Sequence, residues 1–199
     1  MLAVSKTWPA QAIREAHAAG QKAFGESYVQ EALGKMQELS GLDLEWHFIG
    51  PVQGNKAKAI AEHFDWVHSI DREKIALKLS EARPGNLPPL QVCIQVNISG
   101  EASKSGVPPD EVPHLAQFVS GLPKLRLRGL MAIPEPTRDE RLRRARFAEL
   151  RQLKGRLCES GFDLDTLSMG MSEDLESAIL EGATMVRVGS AIFGTRNKK

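Results

Sequence analysis

The sequence predicts a single-domain (β/α)8 barrel of the TIM type over residues 1–199. Short apolar segments rich in Val and Ile, typical of buried parallel strands, alternate with segments of helical character. Strict alternation of this kind requires parallel pairing of the strands through crossover helices. No GxGxxG motif follows the first strand, which disfavours the alternative, an open doubly wound sheet of the dinucleotide-binding type.

The strand predictions rest on short runs of apolar and β-branched residues. They are Leu2–Ser5, Lys22–Gly25, Glu45–Ile49, Trp66–Ile70, Leu90–Ile98, Leu127–Ile133, Thr166–Met169 and Met185–Val188.

The helix predictions rest on start and stop signals between these runs. Pro9 begins the first helix and Gly20 ends it, as the preference for Pro at helix starts and Gly at helix ends predicts. The others cover Tyr28–Leu39, Lys56–His63, Arg72–Glu81, Asp110–Ser120, Arg138–Ser160 and Glu173–Leu180.

Composition excludes several classes of function. The 26 basic and 25 acidic residues nearly cancel to a net charge of +1, so binding to nucleic acid through charge is not expected. No apolar run is long enough for a signal peptide or a membrane span. Cys93 and Cys158 lie far apart in sequence, which excludes a disulfide scaffold and a thiolate zinc site and favours a reduced, cytoplasmic protein.

Barrel enzymes place their chemistry at the carboxyl ends of the strands, where the first strand is followed by Lys6. A lysine at an apolar strand end is partly removed from water, which favours the neutral amine that attacks carbonyl groups. A Schiff base with an aldehyde is the natural use of such an amine. A lysine that turns out to solvent is the alternative.

An anion site is predicted after the last two strands, where barrels often bind phosphate. Ser172 opens a predicted helix and Gly189-Ser190 follows the final strand, so backbone N–H groups are offered to an anion. Arg187 could supply a compensating positive charge or could instead form a buried ion pair. Ser172 could also serve only as a helix cap.

For the histidines and the long basic helix, the sequence favours a structural role over a role in binding or catalysis. No HxH or HExxH motif is present, so we expect no metal, and His47 and His68 are predicted to be hydrogen-bonded core residues. In the helix Arg138–Ser160, the apolar positions recur at helical spacing and predict one packed face, with the basic residues solvated on the other. The apolar positions are Phe147, Leu150, Leu153 and Leu157.

Several blocks of sequence, in this order along nearly the whole chain, resemble the pyridoxal 5′-phosphate (PLP) homeostasis proteins, relatives of the alanine racemase N-terminal barrel. The blocks include LAVSKT at 2–7, FGESYVQE at 24–31, WHFIG at 46–50, HSIDR at 68–72, GLMAI at 129–133, LSMGMS at 167–172 and VRVG at 186–189.

The resemblance implies a barrel that holds PLP as a Schiff base on Lys6, with Ser168 lining the cofactor. It implies a phosphate pocket around Ser172, Gly189 and Ser190, with Arg187 close by. Ser27 is also expected to bind the cofactor, although the family usually has Asn at this position. Its hydroxyl can hydrogen-bond a cofactor oxygen but lacks the separate donor and acceptor of an amide, so weaker anchoring is expected.

The family implies a carrier or buffer of PLP rather than a catalyst, and PLP-dependent apoenzymes as recipients. Racemisation on PLP needs bases on both faces of the cofactor, and related racemases take a tyrosine from a second domain. Here the sequence stops at Lys199 and its single tyrosine is Tyr28, so we expect no turnover. A PLP-dependent amino-acid racemase or a Schiff-base lyase is the alternative.

The family also usually begins with a further helical segment, whereas Met1 leads here directly into the first strand. We therefore expect the usual N-terminal helix to be missing. Its loss would leave an exposed apolar strip beside Val186 and Val188, in a monomer or a weak dimer.

Overall fold

The computed structural model describes residues 1–100 and 105–195. Eight strands and eight helices alternate along this part of the chain. The strands are β1 Leu2–Val4, β2 Ala23–Glu26, β3 Glu45–Phe48, β4 Trp66–Ile70, β5 Leu90–Gln95, β6 Leu125–Met131, β7 Thr166–Ser168 and β8 Arg187–Val188. The helices are α1 Ala10–Ala18, α2 Val29–Glu38, α3 Ala57–His63, α4 Glu73–Ala82, α5 Val112–Ser120, α6 Glu140–Glu159, α7 Leu175–Leu180 and α8 Ser190–Phe193.

All strands pair in parallel, in the order β7-β6-β5-β4-β3-β2-β1-β8. The barrel is closed between β7 and β8 by a bridge from Ser168 to Met185, where the Met169 N–H donates to the Met185 carbonyl oxygen. The predicted (β/α)8 barrel is therefore confirmed, and its first and last strands are neighbours: Leu2 pairs with Arg187 and Ala3 with Val188.

Two strands, β5 and β8, are shorter than predicted by at least two residues, for reasons of local pairing. β5 ends at Gln95 because Val96 forms an isolated bridge with Val107 and the Asn97 N–H donates to the Val107 carbonyl oxygen in the following loop, although the Val96 N–H still donates to Met131 on β6. β8 begins only at Arg187 because Met185 is engaged in the bridge to β7 rather than in pairing with β1.

The eighth helix, α8, was not predicted. It is only four residues long and follows Gly189 directly, without an apolar period that a sequence pattern could reveal. It turns the chain back toward its beginning, where Phe193 stacks on Trp8 with 5.9 Å between the ring centroids.

The exposed strip expected beside Val186 and Val188 does not include Val188 itself. Val188 is buried, with 4% of its surface exposed, and Val186 is half-buried. Val188 lies in the strand that pairs with β1, and the immediate start of α8 prevents an extended, open chain end at this point.

Outside the strands, each of the helices from α1 to α7 has buried residues, whereas α8 has none. In α6, the buried residues are the four predicted, Phe147, Leu150, Leu153 and Leu157, which confirms the packed face. None of the helices in the described part combines the length and the apolar character needed to cross a membrane.

Candidate functional site

A cavity of about 770 Å³ opens at the carboxyl ends of the strands, within the range usual for ligand pockets. It is lined by Lys6 after β1 and by residues from the loops after β3, β6, β7 and β8. Five of the seven predicted site residues line it: Lys6, Ser172, Arg187, Gly189 and Ser190.

The backbone around Lys6 is fixed on both sides. Before it, the Ser5 N–H donates to the Gly25 carbonyl oxygen on β2. After it, Thr7 adopts a left-handed backbone conformation with φ of 69°, and its N–H donates to Oε1 of Glu31 at 2.6 Å. A residue other than glycine adopts this conformation at an energetic cost, so the structure holds the Lys6 segment in a defined path.

A buried ion pair supports the same segment. The Nζ of Lys35 lies 2.8 Å from Oε1 of Glu26 and donates to the Ser5 carbonyl oxygen at 2.9 Å. The same oxygen of Glu26 accepts from the Ser5 hydroxyl at 2.6 Å, and Lys35 also contacts Glu31. Burial raises the pKa of the Glu26 carboxyl, although hydrogen bonds from Lys35 and Ser5 oppose this rise.

Arg187 is buried, with 4% of its surface exposed, yet it lines the cavity. It donates to the backbone oxygen of Ser168 at 2.7 Å, to its hydroxyl at 2.8 Å and to the Ala132 carbonyl oxygen at 2.9 Å. Burial lowers the pKa of its guanidinium to about 10, with Asp174 acting in the opposite direction.

All of these hydrogen-bond partners of Arg187 are neutral. No carboxylate of the described residues lies within ion-pair distance of it, so the buried ion pair considered above is not formed. A buried cation without a counterion is costly, and an anion in the cavity would offset that cost.

Ser172 is not the cap of a helix. It lies in a turn, and α7 begins three residues later, at Leu175. Asp174 occupies the position before the helix and accepts from the Met171 N–H at 2.5 Å, so the turn is held by the carboxylate. The sequence pattern predicts the helix start at Glu173, two residues too early, because Ser and Asp are both common cap residues.

Gly189 and Ser190 instead stand at the start of α8, whose first N–H groups have no partner within the helix. Basic side chains slightly outnumber acidic ones around the cavity. Of the residues that the structure describes, four basic and three acidic ones line the cavity: Lys6, Arg138, Arg143, Arg187, Glu135, Glu173 and Asp174.

The other two predicted site residues do not line the cavity. Ser168 is fully buried below it, where it contacts Arg187 and Nδ1 of His68. Ser27 is half-buried at the end of β2, and its backbone packs against Gly50, where an added Cβ would meet the Ser27 oxygen at 2.6 Å.

Sequence reasoning missed a line of polar residues inside the barrel. His47 and His68 are buried and hydrogen-bonded, as predicted, but they contact each other and connect Ser168 to Glu45. Alternation along β3 and β4 could have shown that both histidines face inward, but their pairing requires the barrel geometry.

The donor set fits PLP. An amine lies on one wall for an aldehyde, and a buried guanidinium and the start of a helix are available for anionic or acceptor groups. Among the described residues, no three His, Cys, Asp or Glu side chains come together as a metal-binding group.

Comparison with known proteins gives consistent matches. Residues 1–197 match the family described as alanine racemase, N-terminal domain. A pyridoxal phosphate homeostasis protein of Pseudomonas aeruginosa is 64% identical over 99% of this chain and 84% of its own length. Its namesake in Escherichia coli is 54% identical over 99% of this chain and 86% of its own length.

Solved structures agree on the fold. PipY of Synechococcus elongatus, solved with PLP bound, superposes with a TM-score of 0.89 at 40% identity, covering 98% of this chain and 92% of PipY. Alanine racemase from Corynebacterium glutamicum, at 19% identity, shares the fold with a TM-score of 0.73 over 98% of this chain and 55% of the racemase.

Proposed function

Because the chain belongs to the family of pyridoxal phosphate homeostasis proteins, we propose that it binds PLP as a Schiff base on Lys6 and buffers or hands on the cofactor without turning over a substrate. The single observation that carries the proposal is that Lys6 and the guanidinium of Arg187, which has no counterion among the described residues, line one cavity. The structure of PipY with PLP bound and the names of the curated relatives support PLP as the cofactor.

Each part of the cavity has a role in this proposal. The Lys6 amine condenses with the aldehyde, so that a C=N bond forms and water leaves. Ser172, Gly189 and Ser190 bind the phosphate with hydroxyl and backbone N–H groups. Arg187, oriented by Ser168, contributes the positive charge.

The absence of turnover is supported by the position of Tyr28. Racemisation needs a second proton-transfer group on the other face of the cofactor. The Tyr28 side chain, which supplies the only phenol of the sequence, is 56% exposed and does not line the cavity. A racemase or lyase activity is the competing function, and deuterium exchange at the α-carbon of an added amino acid tests it: exchange at about 1 s⁻¹ or faster would favour the enzyme.

Absorbance spectroscopy tests the binding proposal. We expect a Schiff-base band when PLP is added, and a mass increase on the peptide that contains Lys6 after borohydride reduction. Lys6→Ala should abolish both. Lys58→Ala, which removes a lysine whose side chain is 79% exposed, should leave both unchanged. A band that persists in Lys6→Ala would contradict the assignment.

We further place this function in the cytoplasm, in a monomer or weak dimer that supplies PLP-dependent apoenzymes. The two cysteines are unpaired in the structure, which is consistent with a reducing compartment. Size measurement at micromolar concentration, and transfer of PLP to an apoenzyme faster than free release, would test the assembly and the partner.

A further inference from the structure

Five polar residues form one continuous line of hydrogen bonds through the interior of the barrel. Nε2 of His47 lies 2.5 Å from Oε1 of Glu45, and its Nδ1 lies 2.9 Å from Nε2 of His68. Nδ1 of His68 lies 2.8 Å from the hydroxyl of Ser168, which accepts from Arg187 at 2.8 Å. The line therefore connects the cavity to the opposite end of the barrel.

The far end of the line is open to water. Glu45 has a side chain that is 49% exposed and lines a second cavity, of about 360 Å³, with Asp65, Trp66 and Arg83. His47 and His68, in contrast, are completely buried. A proton can reach the line from this end without passing through the cofactor cavity.

Hydrogen-bond chemistry fixes the direction of the line. The Glu45 carboxylate can only accept, so a neutral His47 carries its proton on Nε2 and accepts at Nδ1, while Arg187 can only donate and leaves the Ser168 hydrogen available for Nδ1 of His68. His68 then carries its proton on Nε2 and donates to Nδ1 of His47, whose Nε2–H donates to the Glu45 carboxylate. In this arrangement each of these hydrogens has one acceptor and both histidines are neutral.

A proton added to His47 reverses this direction. With both ring nitrogens of His47 donating, His68 must accept at Nε2 and donate from Nδ1 to Ser168. The Ser168 oxygen then accepts from two donors, and its hydrogen loses its partner inside the barrel, which weakens the support of Arg187.

The charge cannot move on to His68. Complete burial, together with the neighbouring His47 and Arg187, holds the pKa of His68 well below its usual range. The remaining groups around His47 are Trp66, stacked on its ring at 5.3 Å, and Arg128, which lies over Trp66 and pairs with Asp165. Asp65 is also near, and its carboxylate accepts from the Trp46 N–H.

From this geometry we infer that Glu45, His47 and His68 are positioning residues for the cofactor cavity, through which protonation at the far end of the barrel loosens the hold of Arg187 on PLP. The inference rests on the proposed function. PLP is held most tightly near neutral pH and is released more readily on acidification, by a route separate from titration of the Schiff base.

The decisive experiment compares PLP affinity between about pH 5 and pH 8 in the wild type and in Glu45→Gln. Loss of the carboxylate disfavours a proton on His47, so the acid-side midpoint should move to lower pH by about half a pH unit or more. The matched control is Glu73→Gln, because Glu73 pairs with the exposed His114 at 2.9 Å and its side chain is 45% exposed. This control should keep the wild-type midpoint.

A second variant tests the line itself. In His68→Asn the amide can still meet Ser168 but cannot reach His47, so adding Glu45→Gln to it should cause no further shift. If this buried variant fails to fold, the exposed Glu45→Gln variant still decides the matter. Identical acid-side midpoints in the wild type and Glu45→Gln would overturn the inference while leaving PLP binding intact. A wild type that binds no PLP at any pH would instead overturn the proposed function, and the inference with it.

Discussion

Lys35 and Glu26 form an ion pair whose side chains are 6% and 0% exposed, and Lys35 bonds in addition to the backbone of Ser5, next to Lys6. The second oxygen of Glu26 has no hydrogen-bond partner among the described residues. The pair therefore supports the segment that presents Lys6, and Glu26 depends on Lys35 for compensation of its charge.

Lys35→Met should destabilise the protein by about 3–5 kcal/mol, because it leaves a buried carboxylate without a counterion. Urea denaturation measures this change. Lys22→Met is the control, since Lys22 pairs with Asp43 at the surface, with side chains 69% and 89% exposed, and should have little effect.

The loss of stability in Lys35→Met should grow as the pH rises. Burial already raises the pKa of Glu26, and removing Lys35 removes two effects that lower it. A carboxyl whose pKa is raised by folding favours the folded state at low pH, and that contribution is lost as the pH rises through the raised value. Unfolding curves from about pH 4.5 to pH 8 measure this, and adding Glu26→Gln should flatten the dependence.

Arg187→Met should lower the affinity for PLP by about tenfold or more, because it removes a buried charged donor from the cavity. The variant loses three hydrogen bonds to buried oxygens of Ser168 and Ala132, which lowers stability, and it loses a buried cation that has no counterion in the described part, which offsets part of that cost. Equilibrium titration with PLP and a urea melt measure the two quantities. An affinity equal to that of the wild type would contradict the role of Arg187 in the proposed function.

The two cysteines should differ sharply in reactivity. Cys93 is completely buried, and burial raises the pKa of its thiol to about 12, so little thiolate forms at neutral pH. Cys158 is half-buried on α6. Mass spectrometry after iodoacetamide treatment of the native protein should find label on Cys158 before Cys93, and equal labelling only after denaturation.

Two glycines offer opposite tests of packing. At Gly129 on β6, an added Cβ would lie 1.8 Å from the Thr166 carbonyl oxygen, so Gly129→Ala should destabilise the barrel by about 3 kcal/mol or more. At Gly155 on α6 nothing lies within 4 Å of an added Cβ, and Gly155→Ala should raise stability by about 0.5–1 kcal/mol. Thermal melts of both variants measure the difference.

The periodic features of the fold were predictable from the sequence. The strand and helix order and the packed face of α6 follow from patterns within about 20 neighbouring residues, and Lys6 follows from its position after a strand. α8 was missed because four residues carry no periodic signal.

The parts of the site that the sequence did not predict depend on contacts between residues that lie far apart in the chain. The hydrogen bond between His68 and Ser168 joins residues 100 positions apart, and the one between His47 and His68 joins neighbouring strands. Ser172 was predicted to open the helix, whereas α7 begins at Leu175 after Asp174, because local sequence cannot tell which of two nearby cap-forming residues precedes the helix. Only the closed barrel places these groups.

The pairing of β1 with β8 has a consequence for the time at which the site can exist. Lys6 follows the first strand of the barrel, and Arg187 lies in the last strand. The chain emerges from the ribosome with its N-terminal part first, so β1 cannot pair with β8 until β8 has been synthesised. A growing chain cannot offer both groups to the cofactor, and occupancy of the site would report that translation of the barrel is finished.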